Sequence, residues 1–176
     1  MLNAIPRPRL IIIIIVAVII IVAAVVVALG GSSTGPTTSA SGTCSVANLT
    51  VERAGPSATV AGTTYEAISF INKGAKCSLP GLVDARGYNS SAKLTVGPNA
   101  TLRGVASATP VSLPAKATAI VQLGIGSTKA CAHQSVDSVQ FSTDGSSWVT
   151  VADPIAVCTA KASLNVTPFS VIAPSA

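Results

Sequence analysis

Twenty consecutive apolar residues, Leu10 to Leu29, run near the start of the chain without a charge, an amide, a glycine or a proline. At roughly 1.5 Å of rise per residue, a helix of that length covers the ~30 Å hydrocarbon core of a bilayer. Arg7 and Arg9 precede the run, and no Lys or Arg follows before Arg53. That bias places residues 1–9 in the cytosol and everything beyond the run on the far side of the membrane. A cleavable signal needs only about 7–15 apolar residues, so an uncleaved single-pass anchor over 10–29 is expected at the plasma membrane. Ala28-Leu29-Gly30 still offers a cleavage site, and cutting after Gly30 would make the protein secreted.

Residues 30–43, GGSSTGPTTSASGT, carry neither charge nor bulky apolar groups. Such a stretch cannot bury enough surface to order itself and reads as a flexible linker. What remains, 44–176, is long enough for one domain with its own core. The chain has 11 Lys and Arg against 6 Asp and Glu. Once Arg7 and Arg9 are assigned to the membrane flank, the surplus is small and scattered. Nucleic acid is excluded as a partner, since it demands basic residues gathered on one face.

All four cysteines, Cys44, Cys77, Cys131 and Cys158, follow the apolar run. An even number confined to the exported part reads as two disulfides, with three pairings open. No C-x-x-C occurs, which argues against a thioredoxin-type centre and against the usual zinc spacing. No metal site and no cofactor are expected.

Past Cys44 the chain alternates short β-patterned runs with Gly/Pro punctuation. Strands are predicted over Ser45–Arg53, Thr63–Asn72, Cys77–Leu79, Leu82–Ala85, Ala117–Leu123, Val136–Thr143, Ser147–Ala152, Ile155–Cys158 and Leu164–Ile172. Arg86-Gly87 is expected to close the fourth of these, and Asp144-Gly145 to turn a hairpin. In Thr63–Asn72 the alternation sets Tyr65, Ala67, Ser69 and Ile71 on one face against Glu66, Ile68, Phe70 and Asn72 on the other. Between Tyr88 and Thr109 the pattern is weak, with Leu94, Val96 and Leu102 expected inward. No sustained 3.6-residue period follows the anchor. The predicted fold class is all-β, an antiparallel sandwich.

The spacing of these features resembles the actinobacterial exported domain of unknown function 4232 family. The residues that carry the likeness are Cys44 ahead of a strand, Gly62 and Tyr65 leading into Phe70-Ile71-Asn72, then Gly74, Cys77, Leu79 and Gly81. Val111-Ser112-Leu113-Pro114, Cys131 ahead of a hairpin, and Val157-Cys158 followed by Val166-Thr167-Pro168-Phe169 extend it. The chain departs from the family at Gly81-Leu82-Val83 and at Pro114-Ala115. The resemblance implies an immunoglobulin-like sandwich with Cys44 paired to Cys77 and Cys131 to Cys158. It brings no activity and no catalytic residues.

Chemistry is sparse. His133 is the only histidine, and Ser135 and Asp137 lie too close along the chain to converge on it as a triad. The acids Glu52, Glu66, Asp84, Asp137, Asp144 and Asp153 sit in no motif and read as surface charges, and Trp148 as packing. The sequons at Asn48, Asn89, Asn99 and Asn165 are candidate glycan sites only in a secretory pathway that uses them. The expected function is a non-enzymatic, membrane-anchored envelope module. Its partner is an envelope protein or glycan met through loops, with 86–109 and 124–134 as candidates. A hydrolase or a small-ligand carrier is the alternative.

Overall fold

The computed structural model describes residues 42–104 and 108–172. The expected anchor over 10–29 and nearly all of the linker lie outside them. Among the described residues no helix is long and apolar enough to cross a membrane.

Apart from one 3-10 turn, every regular element among the described residues is a strand. A 3-10 turn, Val46–Asn48, precedes β1 (Leu49–Arg53), β2 (Ala58–Val60), β3 (Thr63–Asn72), β4 (Cys77–Leu79), β5 (Asp84–Asn89) and β6 (Leu94–Val96). There follow β7 (Thr101–Leu102), β8 (Val111–Leu113), β9 (Thr118–Ile125), β10 (His133–Ser142), β11 (Val149–Cys158), β12 (Leu164–Val166) and β13 (Ser170–Ile172). The larger sheet runs β1-β3-β9-β12-β7, with β2 also on β3 and β13 also on β9; the second runs β11-β10-β5-β6, and β4 pairs with β8. Every strand pair is antiparallel except β12 with β7.

Phe70 of β3 meets Phe141 of β10 edge-on at 5.9 Å between ring centroids, and Phe169 at 5.1 Å. Those are all three phenylalanines in the chain, and they join the two large sheets at one point. Around them Ile68, Leu79, Leu113, Val121, Leu123, Val139 and Val157 are fully buried. Aliphatic side chains of moderate size supply most of the core, in keeping with a β-branched composition.

Several expectations are corrected by local chemistry. The first predicted strand loses its start, because the Ser45 hydroxyl accepts from the Ala47 N–H and holds a 3-10 turn. Arg86-Gly87 does not end a strand but lies inside β5. A Cβ at Gly87 would stand 3.0 Å from a Val157 methyl and 3.1 Å from the Val96 carbonyl oxygen. The glycine is there for close packing, not for a turn. Ser147–Ala152 and Ile155–Cys158 are one strand, β11, carried across Asp153-Pro154 by a register shift against β10. The last predicted strand is two, β12 and β13, parted at Thr167-Pro168-Phe169. Leu94 is exposed, not inward. Gly42 and Thr43, expected in the linker, pair with Ser78 beside β4.

Disulfides join Cys44 to Cys77 and Cys131 to Cys158, the pairs that the family resemblance implies. Beside the first, Asn72 is buried at the end of β3. Its amide nitrogen donates to the carbonyls of Ala75, Leu113 and Pro114, and its oxygen accepts from the Gly74 N–H at 2.8 Å. One side chain thereby fixes the turn into β4 and the loop that follows β8.

Candidate functional site

Among the described residues, strand alternation brings charge into the interior at one place. On β3, Glu66 shares a face with Ile68 and Phe70 and is buried with them. On β11, Asp153 falls in phase with Val151 and is buried too. Asp153 stands where the ladder slips, with Ala152 opposite Ser138 but Ile155 opposite Val136. Two residues of β11, Asp153 and Pro154, therefore oppose the single Asp137, a bulge of the kind that re-aims a side chain. Pro154 lacks an N–H to donate and is tolerated because β11 is an edge strand.

Arg53 brings the two carboxyls under one cation. It pairs across the ladder with Ile68, which makes Glu66 its diagonal neighbour, within reach of a long side chain. Arg53 Nη2 donates to Glu66 Oε1 at 3.2 Å and its Nε lies 3.2 Å from Oε2. Arg53 Nη1 lies 3.5 Å from Asp153 Oδ1. The carboxylates are 7% and 4% exposed, against 38% for the arginine. Strands from both large sheets thus meet in one cluster: β1 and β3 from the larger sheet, β11 from the second.

The cluster is short of partners. Glu66 Oε2 and Asp153 Oδ2 are both buried without a hydrogen bond. The Glu66 carboxyl is pushed up from its ordinary value of 4.5 to about 7, first by burial and then by the adjoining Asp153, with Arg53 pulling the other way. Glu66 is thereby poised in the range where function is often found.

Around the cluster opens a cleft of about 610 Å³, walled by Thr64, Ile125 to Lys129 and Pro154 to Ala156 besides the charged trio. That volume falls within the roughly 300–1,000 Å³ of small-molecule sites. Of the two stretches expected to carry recognition, 124–134 supplies Ile125 to Lys129 to this wall, whereas none of the described residues of 86–109 lines it.

The remaining candidates are placed elsewhere. His133 is exposed at the start of β10, its Nδ1 3.2 Å from the Cys131 carbonyl oxygen. Asp137 is engaged by the Ser90 N–H and hydroxyl and by the Ser138 hydroxyl, all of which hold it below the usual carboxylate range. Asp144 accepts from the Ser147 and Ser146 N–H groups and is lowered by them. It builds the β10–β11 turn. Trp148 is stacked under the Arg86 guanidinium, 3.5 Å from its ring centroid, so packing accounts for that face. Glu66 and Asp153 depart from the expectation that all six acids are surface charges. The available signal was their phase, since each alternates with core hydrophobes along its strand.

The family model described as "Domain of unknown function (DUF4232)" matches residues 44–170. No curated protein and no solved structure matches the chain. The chain belongs to the DUF4232 family.

Proposed function

We propose that this DUF4232 member is a non-enzymatic, membrane-anchored envelope module, an immunoglobulin-like sandwich held on the outer side by residues 10–29. It binds another envelope component in the cleft where Arg53, Glu66 and Asp153 converge. The observation that carries the reading is that cleft, with buried acid oxygens left unsatisfied at its wall. Buried polar groups are ordinarily hydrogen-bonded, and exceptions call for an explanation such as a ligand. The two disulfides favour the oxidising side of the membrane.

The test is retention of envelope extract on the full-length chain in detergent, native against Asp153→Asn. A component held by the native chain and released by the variant supports the reading. Equal retention by both would remove the cleft from it.

A further inference from the structure

We propose that the cleft is a receptor for a primary aliphatic amine, whose ammonium group is held by the Glu66 and Asp153 carboxyls beside Arg53. The proposal rests on the reading of the cleft as a binding site and names the chemistry of its ligand.

The argument begins with charge. Four charged side chains line the cleft: Arg53 from β1, Glu66 from β3, Lys129 from the segment between β9 and β10, and Asp153 from β11. Among the described residues Arg53 is the one cation in contact with the acids, and it is engaged mainly with Glu66. Its closest approach to Asp153 is 3.5 Å, to Oδ1, and Oδ2 receives nothing. Among the described residues Lys129 pairs with neither acid, so where the two carboxyls meet, one guanidinium faces two acids.

A ligand of the ionised pair must donate hydrogen bonds, because ionised carboxylates only accept. It must also carry positive charge, because burial makes the uncompensated anion costly. A metal ion satisfies the charge, but among the described residues no three His, Cys, Asp or Glu side chains are gathered as metal ligands. An ammonium has three donors and needs no further acidic ligand. Beside the acids, Ile125, Pro154 and Ile155 supply an apolar wall against which a short methylene chain can lie. Thr64, Ser127 and Thr128 are placed to meet whatever polar groups the rest of the ligand bears.

Proton exchange gives the proposal its signature. Uptake of an ammonium requires Glu66 to ionise, so affinity rises with pH until Glu66 is already ionised in the free protein, above about pH 7.

The experiment is calorimetric titration of the full-length chain in detergent with n-butylamine, a cation throughout, at pH 6 and pH 8. Runs in buffers of different ionisation enthalpy count the protons released. Expected are about tenfold tighter binding at pH 8 than at pH 6, and release of about one proton at pH 6 against almost none at pH 8. Butyrate should not bind. Asp153→Asn should abolish uptake, and Glu66→Gln should leave weak uptake that no longer varies with pH. No uptake by the native chain, uptake without pH dependence, or equal uptake of butyrate would each overturn the amine assignment. An envelope component still retained through Asp153 in the extract experiment would show that the cleft binds something else, so the two failures are separable.

Discussion

A single carboxyl gives the stability of this protein a pH response that reaches up to neutrality. Glu66 binds its proton more tightly folded, at about 7, than at its ordinary value of 4.5. Below the lower value it is protonated in both states and costs nothing. Between the two the folded form keeps a proton that the unfolded chain has released, so stability falls as pH rises and levels off above about 7. The shift corresponds to about 3 kcal/mol. Glu66→Gln is expected to flatten that slope, so that denaturant midpoints of the full-length chain at pH 5 and pH 8 draw together while those of the native protein stay apart. An unchanged difference would place the titrating group elsewhere. The residues of this cluster were only half legible beforehand. Alternation along Thr63–Asn72 put Glu66 in line with Ile68 and Phe70, but that Asp153 faces it depends on which strand edges meet. Pairing between distant strands leaves no local trace in the chain.

Among the strands, those with strong alternation were recognisable from their residues, and β3 runs over the predicted span. Elements set by contact with another part of the molecule were not. Gly87 looked like a stop and proved to be a point of close packing inside β5. Asp153-Pro154 looked like a break and proved to be a bulge within β11. β2 escaped notice because all three of its residues are exposed and carry no buried face to read. Gly81 shows the same principle after β4. A Cβ there would sit 2.1 Å from the Ala108 carbonyl oxygen and 2.3 Å from its carbon, against backbone that has no rotamer to yield. Gly81→Ala is therefore expected to cost at least the roughly 1–3 kcal/mol typical of overpacking. Thermal unfolding measures it, and a change under 0.5 °C would show that the two segments part freely.

Across the whole molecule the two covalent links are comparable in size to the net stability of a domain. Their sequence separations are 33 and 27 residues, and closing loops of that size is worth about 3.5 kcal/mol each in the chain-entropy account. Domains of this size are stable by only about 5–15 kcal/mol in all. Replacing Cys44 and Cys77 together by serine is expected to remove a large share of that, seen as a fall in denaturant midpoint with the second bridge intact. Retained stability would mean that strand pairing alone suffices. The placement of the bridges has a mechanical consequence. Tension entering through the residues ahead of Cys44 crosses the sulfur–sulfur link to Cys77, and between Cys131 and Cys158 it takes the second shortcut. Arg53 and Glu66 lie within the first bypassed span and Asp153 within the second. A load pulling on both ends of the chain therefore runs around Arg53, Glu66 and Asp153, and the segments that carry these three stay slack until a covalent bond gives way.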